Sequence, residues 1–313
     1  GSDQSGNPAA LPLVSDLEAE GWERVKPHPN FPTSWLMSRG NGTGYHGFLA
    51  RKTRTWRGAG TSIADEDLPT LLYPFQRKLT QWALRKGRAA LWADTGLGKT
   101  FMQVAWADKI PGRVLIFAPL CVTHQTIAEG ARLGITVGLH VQSGERIEIT
   151  NYERLHQVVP ADYAGVVLDE SSILKSLDGK TRTKLIAAFQ DTPYRLCCTA
   201  TPAPNDIAEL ANHAEFLGVL TRAEMLATFF VHDETGWRLK GHATEAFYRW
   251  LASWGMFVRK PSDLGFSDDG YDLPHLTITE QIVPTGWRPE GRLFADVQTE
   301  GIRGRIKARR GSL

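Results

Sequence analysis

Residues 90–106 read ALWADTGLGKTFMQVAW. A short apolar run ends in a glycine-rich loop, then Lys-Thr, then a helical pattern. Gly96 and Gly98 let backbone amides turn toward a phosphate with no side chain in the way. The helix that follows offers its N-terminal amides and the positive end of its dipole. Lys99 is placed to reach β and γ phosphates, and the Thr100 hydroxyl to hold a magnesium ion. Thr95 lies within the same loop. The strict phosphate-loop pattern has glycine at 93, where this chain has Ala93. A Gly-Lys-Thr in a loop is common by chance. One set between an apolar run and an amphipathic run points to a nucleotide site.

Such a site needs a second strand that ends in acid. The run GVVLDESS, 165–172, supplies it. Asp169 closes a buried strand pattern, where it can hold magnesium through water. Glu170 can position and deprotonate an attacking water. A third piece, CCTATPAPN at 197–205, puts Thr199 and Thr201 at another strand exit, where small hydroxyls can sense phosphate or metal. Alone it is an ordinary strand-to-loop turn, and its place as third in order makes it specific.

Outward from these motifs the texture is α/β. AALW (89–92), RVLIFA (113–118), TVGLHV (136–141), RIEIT (146–150), GVVLD (165–169) and YRLCCTA (194–200) are short apolar or β-branched runs. Helical patterns at 122–133 and 180–190 separate them. Near-continuous apolar strands imply a mostly parallel sheet with helices on both faces. After residue 204 the pattern turns helical. Asn205 or Asp206 is the expected N-cap, with Glu209 placed for a capping box. Phe247, Trp250, Leu251 and Trp254 follow helical spacing and read as a core-facing stripe. LTITEQIVP, 276–284, reads as a strand or extended linker.

The 313 residues, 42% of them hydrophobic, suffice for one large domain or two modest ones, and a net charge of +2 says little about partners. Local charge says more. Residues 22–60 hold seven Lys/Arg against Glu23 alone, interleaved with Trp22, Phe31, Trp35, Tyr45, Phe48 and Trp56. That texture suits either a nucleic-acid clamp, with Arg51 and Lys52 in contact, or a leader that packs its rings and leaves its charges in solvent. The basic C-terminal run reads as a solvated helix or linker. Three cysteines show no disulfide or zinc spacing, which suits a reducing, cytoplasmic setting. No membrane span or signal peptide is legible.

At this point the chain resembles superfamily 2 helicase-like ATPases, and within them the Swi/Snf-like branch of double-stranded DNA translocases. The ordered match covers residues 68–275. Ala-x-x-Gly-x-Gly-Lys-Thr is a variant found in that superfamily. LYPFQRKLTQWAL resembles the branch's adenine-reading segment, which puts Gln76 on the adenine with Phe75 or Arg77 close by. DTGLGKTFMQ looks like motif I, including Gln103. FAPLCVTHQTIAE resembles motif Ia and ITNYERL the next strand-contacting motif, which nominates Thr123, His124, Thr150 and Asn151 for the nucleic-acid backbone. DESSILKS is similar to motif II, with Lys175 as a further contact. TATPAPNDIAEL matches motif III at Asn205 and Glu209, and MFVRKPSDLGF matches the exit from the first lobe at Arg259 and Lys260. DESSILK and the upstream YHGFLARK resemble phage- and prophage-encoded helicase-like proteins.

The resemblance implies a RecA-like P-loop NTPase lobe that uses ATP and Mg²⁺, binds nucleic acid and hydrolyses ATP. Residues 1–20 would be a tag remnant and disordered leader, 21–66 the basic aromatic segment, 67–204 the ATP-binding core, 205–275 a helical extension and 276–313 a linker. Two departures stand out. Ser171 and Ser172 replace the usual Ala-His of motif II, so Ser172 occupies the position that couples nucleotide state to DNA grip. The Gln-x-x-Gly-Arg-x-x-Arg segment of a second lobe, which carries arginine fingers, is absent from the 313 residues. The expectation is a first lobe whose partner is a second RecA-like lobe. Competing readings are a strand-separating helicase, the motor of a restriction or defence system, and an ATP- or DNA-binding adaptor without turnover. A small-molecule kinase has no place for motif III or Tyr-Glu-Arg.

Overall fold

A computed structural model describes residues 60–140, 142–176, 179–234 and 236–271, the strands Trp22–His28, Phe31–Arg39 and Ala50–Arg51, and residue 279. Those first strands, β1, β2 and β3, form a small antiparallel sheet. Arg51 lies on β3. The Arg51 side chain and Lys52 fall outside the described residues, as do the expected tag remnant and the LTITEQIVP strand apart from residue 279. Residues 1–271 form one compact unit and 272–313 another.

The apolar runs become a seven-stranded, wholly parallel sheet. Its strands are β4 (Arg88–Ala93), β5 (Val114–Phe117), β6 (Gly138–Leu139), β7 (Ile147–Thr150), β8 (Gly165–Asp169), β9 (Tyr194–Cys198) and β12 (Gly255–Val258), in the spatial order β12-β4-β9-β8-β5-β7-β6. The central strands are buried on both faces because helices cover both, which is why they read as continuous rather than alternating. Along each strand successive side chains go to opposite faces. Ala90, Trp92, Leu115, Phe117, Val166, Leu168 and Cys197 enter one core; Leu91, Ala93, Val114, Ile116, Val167, Leu196 and Cys198 enter the other. The adjacent cysteines therefore point apart, as their spacing predicts.

Three helices cover the second face: α1 (Pro74–Lys86), α2 (Lys99–Lys109) and α3 (Thr123–Arg132). The first face carries α4 (Ile173–Ser176), α5 (Gly179–Ala188), α6 (Leu210–Leu217), α7 (Arg222–Phe229) and α8 (Thr244–Ala252). Phe247, Trp250 and Trp254 are buried against this core, so the aromatic stripe packs as its spacing implies.

The stretch after 204 is not purely helical. A hairpin, β10 (Phe230–Asp233) with β11 (Gly236–Leu239), interrupts it, and β12 returns to the main sheet beside β4. Sheet and core thus both continue across residue 204. The expected cap is Asp206, whose Oδ1 accepts from the Ala208 amide at 2.9 Å, and it starts the short turn Ile207–Glu209 rather than a long helix. Glu209 forms no capping box; it pairs with Lys175. Among the described residues no helix is long and apolar enough to cross a membrane.

Candidate nucleotide site

Every strand of a parallel sheet ends on the same side, and the motif residues collect at these carboxyl ends. The loop after β4 turns through Gly96 (φ 84°) and Gly98 (φ 74°), both left-handed. At Gly98 a side chain is excluded twice, because an added Cβ would sit 2.3 Å from Gln76 Nε2. At Gly96 an added Cβ would meet nothing within 4 Å, so that part of the loop faces open space. Gly98 leads into α2, whose first turn holds Lys99 and Thr100.

Lys99 Nζ donates to the carbonyls of Ala93 at 2.9 Å and Asp94 at 3.2 Å, folded back on the loop. Thr95 donates from its amide and its hydroxyl to Asp94 Oδ1, at 2.6 and 3.2 Å. Gln76 accepts from the Tyr73 amide and donates to the Leu97 carbonyl, both at 3.0 Å, and so struts the start of α1 against the glycine loop after β4. Phe75 is 2% exposed, inside the core. Arg77 is engaged with Asp65 (2.9 Å) and with the carbonyls of Leu72 and Thr70. The exposed aromatic at this edge is Tyr73, at 57%, edge-on to Tyr271 with centroids 5.6 Å apart. Sequence reading passed over both tyrosines, since the contact between them spans nearly the whole lobe.

Asp169 ends β8 and is buried. Its Oδ1 accepts from Gln103 Nε2 at 2.6 Å, while Gln103 Oε1 is buried without a partner. Burial pushes the Asp169 carboxyl above its ordinary value, the Gln103 hydrogen bond opposes this, and the neighbouring Glu170 charge adds to it. A buried carboxylate held short of full compensation suits a hard cation. Among the described residues no cluster of three or more His, Cys, Asp or Glu could hold a metal alone. One carboxylate and one hydroxyl fit magnesium, which takes few protein ligands and completes its shell with water and phosphate oxygens.

Glu170 is the one non-glycine residue with positive φ, 48°, among those described. For a side chain larger than Asn that conformation costs about 1–3 kcal/mol and persists where surroundings dictate it. Here three neighbours do. Tyr152 donates its hydroxyl to the Asp169 carbonyl at 2.6 Å, the Ser171 amide donates to the Cys198 carbonyl at 2.9 Å, and Thr199 Oγ1 donates to Glu170 Oε2 at 3.1 Å. The Thr201 amide donates to Thr199 Oγ1 at 3.1 Å, so the third motif holds the second directly. Ser172 is half-buried at the turn into α4, and Ser171 is wholly buried. Beneath them His213 is buried beside Trp92, ring centroids 5.9 Å apart, and burial lowers its pKa to about 4.

The expected nucleic-acid contacts lie on the same edge. Thr123 opens α3 and is buried, and His124 beside it is exposed. Thr150 Oγ1 and Asn151 Oδ1, at the exit of β7, are buried without partners. Lys175 is committed instead to Glu209 at 2.8 Å, and Asn205 Nδ2 donates to the same Glu209 oxygen at 3.2 Å. That clasp joins the second and third motifs, and sequence alone could show the three residues but not their pairing.

No family model and no curated protein matches the chain. Solved structures do. A Swi2/Snf2 ATPase core from Sulfolobus solfataricus, in complex with double-stranded DNA, is similar at 19% identity and a TM-score of 0.54, over 66% of this chain and 48% of that one. The UvsW helicase of bacteriophage T4 (15% identity, TM-score 0.42, 52% of this chain and 67% of that) and the Hef helicase domain of Pyrococcus furiosus (16%, 0.38, 46% and 36%) are more distant and carry no argument. The chain spans about half the length of the Sulfolobus core. What the likeness establishes is the fold: an α/β RecA-like lobe of the kind found in helicase-type ATPase cores.

Proposed function

We propose that this chain is the ATP-binding motor lobe of a nucleic-acid-dependent ATPase, and that its track is double-stranded DNA. The observation that carries the reading is the juxtaposition at one sheet edge. A glycine loop with Lys99, a buried Asp169 on Gln103 and a backbone-constrained Glu170 on Thr199 share that end of the sheet with the unpartnered Thr150 Oγ1 and Asn151 Oδ1. The duplex substrate is taken from the motif order and from the likeness to a core bound to double-stranded DNA.

In this reading Lys99 leaves the loop carbonyls to meet the β and γ phosphates, and Gly96 and Gly98 present backbone amides to them. Thr100 and Asp169 would hold magnesium, which supplies charge neutralisation at the phosphates when bound. Glu170 aligns the attacking water and accepts its proton. Gln76, Tyr73 and Tyr271 line the approach for the base. Thr199, Thr201 and Ser172 pass nucleotide state onward. Thr123, His124, Thr150 and Asn151 touch backbone phosphates, which carry no sequence information and so suit a motor that steps along any duplex. The partner is a second RecA-like lobe that brings arginine. Without it turnover is lower by roughly 10³–10⁵.

The test is equilibrium binding of Mg·ATP by the 313-residue chain and by Lys99→Ala, with duplex DNA, single-stranded DNA and RNA titrated separately over salt. Expected are Mg·ATP binding that Lys99→Ala loses and a salt-dependent preference for duplex. A wild-type chain that binds Mg·ATP no better than the variant sinks the reading. Fast DNA-stimulated turnover by this chain alone would refute the need for a second lobe.

A further inference from the structure

Glu170 is held from three sides, and the three restraints come from different places. The Ser171 amide and the Glu170 carboxylate are fixed by β9 and the residue that follows it, at the Cys198 carbonyl and Thr199 Oγ1. The third restraint, Tyr152, arrives from elsewhere. It opens the turn Tyr152–Gln157 directly after β7, so it is the residue next to Asn151. Its ring is 5% exposed and stacks on Phe117, centroids 5.6 Å apart and planes at 27°. Its hydroxyl reaches the Asp169 carbonyl at 2.6 Å, across 17 positions of sequence.

The Asp169 carbonyl belongs to the peptide unit that sets φ at Glu170, the residue with the left-handed backbone. Rotating that peptide swings the Glu170 carboxylate. Tyr152 shares a peptide unit with Asn151, and successive Cα atoms are fixed about 3.8 Å apart. A phosphate oxygen that accepts from the unpartnered Thr150 hydroxyl at the β7 exit therefore pulls on the short run that leads to Tyr152, whose ring is stacked on Phe117.

We infer that Tyr152 is a positioning residue that couples nucleic-acid occupancy of the β7 exit to the backbone of Glu170. The inference rests on the reading above, in which that exit faces nucleic acid and Glu170 faces the attacking water. Coupling runs both ways, so bound duplex changes nucleotide affinity by the same factor that bound nucleotide changes duplex affinity.

The test uses the 313-residue chain and Tyr152→Phe, which keeps the ring and removes the hydroxyl. Affinity for a magnesium-bound, non-hydrolysable ATP analogue is measured with and without saturating duplex DNA. Expected is a wild-type change of about fivefold or more that falls to within about twofold of no change in Tyr152→Phe. Amide exchange is followed in the same samples. Without the hydroxyl the Ser171 amide should exchange about five- to tenfold faster, the loss of one buried hydrogen bond nearby, while the β5 amides keep their protection and report an intact fold. Should Tyr152→Phe fail to fold, Asn151→Ala replaces it and must weaken the duplex effect on nucleotide affinity.

A variant that retains the wild-type ratio overturns the inference, as does a wild-type chain that binds both ligands with no ratio between them. A wild-type chain that binds neither ligand defeats the functional reading instead. The Ser171 amide then still judges Tyr152, and an unchanged exchange rate in Tyr152→Phe overturns its positioning role.

Discussion

At Asp169 two demands conflict. Burial raises the carboxyl above its ordinary value of 3.8, so as pH rises past 3.8 the unfolded chain gives up its proton before the folded chain does, and stability falls until the raised value is passed. Asp169→Asn keeps an acceptor for Gln103 and removes the charge. It should raise Tm by about 2–4 °C, near 1 kcal/mol, in scanning calorimetry, and should lose Mg-dependent nucleotide binding. A lower Tm in the variant would show that the charge is stabilised where it lies. His213 has the opposite sign of dependence. Its folded pKa is about 4 and its ordinary value 6.5, so between those values the unfolded chain holds a proton that the folded chain does not. Stability is complete above about pH 6.5 and falls as pH drops toward 4, by up to about 1.4 kcal/mol per pH unit. His213→Gln should flatten this part of a Tm–pH profile, and an unaltered profile would assign the acid sensitivity to other groups.

At the scale of elements, the interior strands were legible and the edges were not. GVVLD and VLIF are buried on both faces, so their apolar runs have one reading. β12 is four residues, Gly-Met-Phe-Val, with Phe257 56% exposed, and it follows α8 with no turn signal. Its strand character comes from pairing with β4, which no local pattern encodes. The same holds at the site. Lys99, Asp169 and Glu170 are nominated by spacing alone, whereas the Lys175–Glu209 clasp and the Tyr152 hydrogen bond exist only once distant segments meet. Trp92, Trp254 and Trp250 stack edge to face, with centroids 5.4 and 5.2 Å apart, and Gly255 leaves room for the Trp92 ring, which an added Cβ would approach to 2.5 Å. Trp254→Ala should cost about 3–5 kcal/mol by urea unfolding. Gly98→Ala should cost about 1–3 kcal/mol through backbone strain alone and should abolish nucleotide binding by displacing Gln76; retained binding would mean that the strut is dispensable.

At the scale of the molecule, the sheet is closed on one side by a strand that comes late in the chain. A chain ending before Gly255 leaves β4, the strand that feeds the glycine loop, as an open edge with unpaired backbone groups. Such a product should aggregate on size-exclusion chromatography, while one ending after Tyr271 should elute as a compact species. A well-behaved product lacking β12 would show that β9 alone supports β4. The basic leader is testable at this scale too. Charge reversal at Arg51, Lys52 and Arg54 should lower the salt slope of duplex binding if the leader grips DNA, by about one for each phosphate it no longer neutralises.

The left-handed Glu170 has a consequence for how this sequence would drift. Glycine adopts that backbone at no steric cost, and asparagine at little. Under selection for a sturdy fold alone, position 170 would move to one of them and gain on the order of 1 kcal/mol. On the proposed function, a large acid in that conformation is kept for its use, and a descendant freed from turnover should change first at this residue, with a firmer fold and a silent site.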